Sequence, residues 1–557
     1  MTATTSSPAA VGGSPASRDE PGAPPRRWPH VLGVGLIVSV YTALYSTYLL
    51  VLHATLKDGM ADVAEYDQAI SGYAHFSAPH SPFVGLPSVG SAGALQLSDH
   101  FTPLLALLAP FYWIHDGPET LLVETAVLTA LPIIPLWLFT RRAVGESRRF
   151  GTIAAYLVVI GYGVSWPLQM ALWFEFHEVF LALPIMMWMI ERAQAGKLRQ
   201  AALVSLLLLG VKDDLGFVVA VFGVYLATKD ATLRDWWRLL RRATRDRARY
   251  LRDALGRNRG ETIRTLRHSH RLRFLSLVPI GLAMVALVNK VLLPAFGGSS
   301  TRNFTYTEFG ATPGAALKAM LADPGTALGT LVNSPFKTQT LSMLLWPVLA
   351  LCLLSPLTLM AAPLLIERFL SVNSLYWVMP YHYNAFLLPI MLCGGVDGAV
   401  RLSRWLTTGE PIARRIGRHG PLVRNILVTC FAGYVAVQSW STAFRYPMHH
   451  LTEAAFWDTS SPDVVAAKIA AGHVPDNVLV AAATQIGPHL LNRDRVIMWS
   501  FPGDRSYPDT PWVLADVKRA SYPFVSVDAQ QADVEWLKTK GYRVVFQLDG
   551  WVVLRQG

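Results

Sequence analysis

Four separated stretches of this chain set carboxylates, imidazoles and a lysine beside apolar sequence. The first runs from Glu65-Tyr66-Asp67-Gln68 to Asp99-His100, and the second is Trp173-Phe174-Glu175-Phe176-His177-Glu178. The third is Lys212-Asp213-Asp214, and the fourth is Tyr381-His382-Tyr383. Ionisable groups at membrane depth cost roughly 2.5–3.5 kcal/mol each, so they face a cavity and partner one another. Paired carboxylates can do general-base work, taking a proton from an acceptor hydroxyl. Asp99, His100, Glu175 and His177 are candidate ligands for a divalent metal, although His-x-x-x-His and Cys-x-x-Cys spacings are missing. The cofactor therefore stays open, with a divalent cation as the candidate. Lys212 can pair with its two aspartates or hold an anionic phosphate. The plainer alternative, that each group is a solvated loop residue, stays open at this point. No P-loop, Rossmann glycine signature or Gly-x-Ser-x-Gly elbow supports soluble-type nucleotide or hydrolase chemistry.

Long apolar blocks separate these stretches. Of the 557 residues 52% are hydrophobic and only 16% charged, which points to lipid as solvent. Val31 to Leu52, Leu121 to Phe139 and Phe274 to Leu293 approach the length a bilayer demands. Cys352, Cys393 and Cys430 all lie in such blocks and read as packing residues. The net charge of +11 comes from arginines between blocks, where membrane topology uses them, so no nucleic-acid partner is expected.

The positive-inside rule then fixes a threading. Residues 1–30 are Pro-, Ala-, Ser- and Gly-rich and read as a disordered cytoplasmic start. A bundle over 31–444 follows, with about eleven helices near 31–52, 119–140, 150–170, 178–193, 200–211, 215–228, 274–294, 339–355, 357–371, 383–402 and 425–444. Loop 53–118, poor in Lys and Arg, falls outside, and Phe101 to Ile114 is too short to cross. The arginine-rich stretch 229–273 falls in the cytoplasm, against anionic headgroups. An odd helix count leaves residues 445–557 outside as a small α/β domain. Ser461 caps its first helix, strands lie near 477–483, 496–499 and 512–517, and a helix lies near 529–540. A hairpin turns at Asp549-Gly550.

Several motifs resemble the bacterial predicted membrane proteins grouped as domain of unknown function 2079. They are Tyr66-Asp67-Gln68, Ser98-Asp99-His100-Phe101-Thr102-Pro103, Phe174 to Glu178, Val211 to Asp214, Tyr381 to Ala385 and Gly487-Pro488-His489-Leu490. The resemblance runs from about residue 35 to the C-terminus. That layout is similar to the GT-C glycosyltransferases, which take sugars from polyprenyl-phosphate carriers on the extracytoplasmic side. The resemblance implies a multi-pass cell-membrane protein, mainly α, with a GT-C-like bundle and an extracytoplasmic tail domain. Its partners would be the bilayer, a polyprenyl-phosphate-linked sugar and an envelope glycan or protein acceptor. It also implies Asp67 as base or metal ligand, with Asp99 and Glu175 shaping the electrostatics or holding the ion. His100, His177, Glu178, Lys212, Asp213, Tyr381 and His382 would bind substrate, Lys212 at the donor phosphate. The doublet common in such enzymes is absent, since Gln68 follows Asp67. Two other classes remain at this stage: a transporter or flippase of an envelope precursor, and a non-catalytic envelope scaffold.

Overall fold

A computed structural model describes residues 28–84, 93–145, 148–229, 271–299, 304–499 and 510–557. The expected disordered start and the arginine-rich 229–273 stretch lie almost wholly outside the described residues. The rest is a mainly helical bundle followed by a small sheet domain.

Helix α1 (Trp28–Ala54) carries no lysine, arginine or carboxylate. Two of its tyrosines satisfy their hydroxyls on a neighbouring helix: Tyr41 donates to the Ile160 carbonyl at 2.8 Å and Tyr45 to that of Gly163 at 2.6 Å. A side chain on Gly163 would put a Cβ within 2.1 Å of the Tyr41 ring, so only glycine admits this crossing.

Each of the eleven expected spans meets helical backbone, but they are not eleven equivalent helices. Among the described residues six are long and apolar enough to cross a membrane, judged by length and composition: Trp28–Ala54, Pro118–Ala143, Arg149–Trp173, Leu272–Ala295, His382–Thr408 and Ile412–Ala443. The others are shorter or broken. Val179–Gln194 has 16 residues, and Leu198–Gly210 and Leu215–Thr228 are shorter still. The stretch read as 339–355 stops at Leu349 and Ala350, whose φ angles of 50° and 54° cannot continue a right-handed helix. The next stretch opens as a 3₁₀ turn at Pro356–Met360 before Ala361–Leu370.

The loop after α1 is more ordered than its sequence suggests. It contains a second helix, α2 (Ala61–Ala74), and a two-residue antiparallel pair, β1 (His80–Ser81) with β2 (Ala94–Leu95). Phe101 to Ile114 forms only short turns, and Leu107, Phe111, Trp113 and Ile114 stay exposed, as in a segment lying along an interface.

The tail domain follows its sequence closely. Its sheet runs in the order β4 (Arg495–Met498), β3 (Leu479–Ala482), β5 (Trp512–Asp516), β7 (Trp551–Gln556), β6 (Tyr542–Leu548). β3 pairs parallel with β4 and β5, and β7 antiparallel with β5 and β6. Asp549 and Gly550, both at positive φ, make the β6–β7 turn. The apolar core of this domain is completed by Leu56, Met60, Val63 and Ala64 of the bundle.

Candidate active site

Helix α2 rotates about 100° per residue, so Asp62, Glu65 and Tyr66 share one face while Asp67 turns away. On the first face the Tyr66 hydroxyl donates to Glu178 Oε2. Lys212 Nζ donates to Glu178 Oε1 at 2.5 Å, and His177 Nδ1 lies 2.5 Å from Oε2. Glu178 is wholly buried, so this carboxylate needs all three neighbours. His100 extends the network, its Nδ1 3.2 Å from Asp213 and its Nε2 3.9 Å from Asp99.

His382 arrives from the other side. Its ring stacks on His177 with centroids 3.5 Å apart, and Phe174 packs edge-on against Tyr381 at 4.9 Å. Both loops bend through left-handed residues here, Glu175 at φ 64° and Tyr381 at φ 76°. Such conformations cost of order 1–3 kcal/mol outside glycine and cluster at functional sites. Arg368 fixes the second loop, donating to the carbonyls of Tyr376 and Tyr383 at 2.6 Å and to Asn384 Oδ1 at 3.0 Å. The Gly59 amide donates to Glu175 Oε1 at 2.8 Å, tying the Glu175 loop to the turn before α2.

Burial and neighbouring charge set the protonation states. Burial, then the Glu178 charge, push Asp62 up to about 7. Burial and Asp99 raise Glu65 well above the carboxylate range. Burial also brings His177 down to about 4, against the pull of Glu178, so its imidazole is neutral at pH 7. For His100, burial and Lys212 oppose protonation, but Asp99, Asp213 and Glu178 carry it up to about 10. Burial opposes the charge on Lys212 as well, and Glu178, Asp214 and Asp213 overcome it.

One atom each from Asp62, His177 and His382 lies within 4.8 Å of the other two, a spacing that suits a metal ion. Both ring nitrogens of buried His382 lack a hydrogen-bond partner, as does Asp62 Oδ2. Two imidazoles and a carboxylate suit a divalent ion of the zinc or manganese kind.

The expected site residues thus divide. His100, His177, Glu178, Lys212, Asp213 and His382 meet in one network, with Asp99 and Tyr381 at its margin. Glu175 is buried beside it, on the turn side. Asp67 lies on the other face of α2, where its Oδ1 accepts from the Tyr112 hydroxyl at 2.8 Å. Of the metal candidates, His177 belongs to the three-donor group, and among the described residues Asp99, His100 and Glu175 belong to none. Asp62 and Arg368 were not singled out from sequence. Asp62 could have been found three and four residues before Glu65 and Tyr66, and Arg368 as an arginine inside an apolar block.

Gln68 also finds its place here. Its carboxamide reads the edge strand β4 like a peptide group, accepting from the Val496 amide at 3.0 Å and donating to the Val496 carbonyl at 3.2 Å.

No curated protein matches the chain. Solved structures similar to it include ArnT from Cupriavidus metallidurans bound to undecaprenyl phosphate, at 12% identity and TM-score 0.45 over 95% of this chain and 98% of that one. The apo state of the same protein gives 13% identity and TM-score 0.41 over the same shares. The apo Archaeoglobus fulgidus oligosaccharyltransferase gives 14% and 0.38 over 88% of this chain and 70% of that one. Likenesses this distant assign no residue of this chain a role. A family match spans residues 52–553, and the chain belongs to that family, the predicted membrane proteins designated DUF2079.

Proposed function

We propose that the chain is a membrane glycosyltransferase that moves a sugar from a polyprenyl-phosphate carrier to a cell-envelope acceptor, on the extracytoplasmic face. The observation that carries the reading is the meeting of Lys212, His100 and Asp62 with the buried His177 and His382 in one cluster at the ends of apolar helices. Lys212 itself sits between the apolar helices Leu198–Gly210 and Leu215–Thr228, whose Leu203, Leu207 and Val224 are exposed. A ligand with an anionic head and a long apolar tail satisfies both features at once.

In this reading the carrier phosphate enters beside Lys212 and His100, whose positive charges stabilise it as it leaves with the electron pair of the sugar–oxygen bond. The acceptor hydroxyl attacks the anomeric carbon while Glu65, one turn along α2 from Asp62, takes its proton. The raised proton affinity of Glu65 suits a base and calls for turnover that rises with pH as Glu65 ionises. Asp62, His177 and His382 would hold a divalent cation, which when bound supplies further neutralisation of phosphate charge. Arg368 and the two left-handed residues hold the loops in register, so little reorganisation accompanies reaction.

The test is release of free polyprenyl phosphate by the purified protein from a panel of labelled polyprenyl-phosphate sugars. Turnover is expected for the wild type, with a loss of about 100-fold or more in Lys212→Gln. No release across the panel, or release indifferent to Lys212, contradicts the reading.

A further inference from the structure

A second group of metal-type donors lies away from the candidate active site, where the tail domain meets the bundle. His53 ends α1, Asp58 lies in the turn that follows, and His489 comes from the tail, in the 3₁₀ turn Gly487–Leu490. One donor atom from each falls within 4.8 Å of the other two. The rings of His53 and His489 stack at 4.0 Å with an 11° tilt, and His53 Nδ1 is 2.6 Å from Asp58 Oδ2.

Three features distinguish this group from a chance meeting. His489 Nε2 lies 2.8 Å from the His53 carbonyl oxygen, which can only accept, so the proton is on Nε2 and Nδ1 keeps its lone pair. A histidine whose far nitrogen donates to a backbone carbonyl is the usual form of a metal ligand. Asp58 is 4% exposed, and its Oδ1 has no hydrogen-bond partner. A buried carboxylate oxygen left bare is costly unless something positive meets it. The tail also approaches closely here: a Cβ on Gly487 would lie 1.9 Å from the sulfur of Met60, so a larger residue would have to displace that buried side chain. Glu119 supplies an outer carboxylate, its Oε1 3.7 Å from His53 Nε2.

We propose that His53, Asp58 and His489 form a divalent-cation site of the zinc class that fastens the tail domain to the end of α1. Two imidazoles and a carboxylate make three protein ligands, leaving a fourth position for water or for Glu119 after a small shift. The site goes beyond the glycosyl-transfer reading and does not depend on it.

The test uses full-length protein in detergent, stripped with a chelator and titrated with Zn²⁺ and with Co²⁺. Wild type is expected to bind one more ion than His489→Gln, while His382→Gln, which alters the other trio, keeps that ion. A measurement on the wild type alone guards against a misfolded variant. Zn²⁺ should slow amide hydrogen exchange at residues 487–491 and in β3 about tenfold, and chelator should reverse it. Equal ion counts in wild type and His489→Gln, or exchange at 487–491 that ignores Zn²⁺, would overturn the proposal.

Discussion

On one face of α2, Asp62, Glu65 and Tyr66 turn toward Glu178, Lys212 and two stacked histidines. On the other, Asp67 accepts a hydrogen bond from Tyr112 and Gln68 holds the tail's edge strand. The two faces meet at adjacent residues, Tyr66 and Asp67, and each carries an aspartate, yet only the first is in the polar network. A helix assigns partners by angle and not by adjacency, so Asp67 and its neighbour Tyr66 meet different surroundings. The same rotation explains Gln68: where a second acid would be expected, the chain needs a group that both donates and accepts toward a backbone.

The contrast can be broken most forcefully at Lys212. Lys212→Ala leaves Glu178 buried without its lysine, and removal of one partner of a buried pair costs about 3–5 kcal/mol. Thermal unfolding should show a large fall in Tm, and the double variant Lys212→Met, Glu178→Gln should recover most of it. Full stability in Lys212→Ala alone would mean the pair is not formed.

Next in size is the comparison of the two faces by turnover. Glu65→Gln should lower turnover by about 100-fold or more, as expected for a general base. Asp67→Asn keeps an acceptor for Tyr112 and should change it by less than about tenfold. The reverse order would move the reacting centre to the Tyr112 side.

A third test reads pH. Burial lifts Asp67 to about 7 from an ordinary value near 4, and only the Tyr112 hydroxyl counters it strongly. The folded state therefore holds this proton more tightly than the unfolded chain. The associated stability is full below about pH 4 and is lost as pH rises through about 7. Asp62 behaves alike, so wild type should lose stability between about pH 4 and 7, and Asp67→Asn should lose distinctly less. Identical slopes would show that Asp67 ionises as freely folded as unfolded.

The smallest effect belongs to Gln68. Gln68→Ala removes two hydrogen bonds to β4, worth about 1–2 kcal/mol together. Hydrogen exchange in β4 should quicken while turnover changes little. Unchanged exchange would mean the tail does not depend on this clasp.

Much of this is legible in the amino-acid sequence. The apolar blocks, the tail strands and the Asp549-Gly550 turn follow from hydropathy, periodicity and turn chemistry, all local properties. The union of His100, Glu178, Lys212 and His382 was legible in outline, because four loops carried charges beside apolar sequence. What was hidden depends on geometry without a local signal. α2 reads as loop because its apolar face is short and interrupted by Gly72. The breaks at Leu349 and Ala350, and the left-handed turns at Glu175 and Tyr381, need no special residue type to be written in sequence. The nearness of His53 to His489 spans most of the chain, and periodicity is blind at that range.

Seating of a carrier phosphate beside Lys212 underlies every role proposed above in glycosyl transfer. It is tested most directly by an experimental structure of the protein in lipid nanodiscs with saturating polyprenyl phosphate. Phosphate density within hydrogen-bond distance of Lys212 Nζ, lost in Lys212→Gln, is the predicted result. Lipid phosphate seated elsewhere, with the Lys212–Glu178 pair closed and untouched, would contradict it.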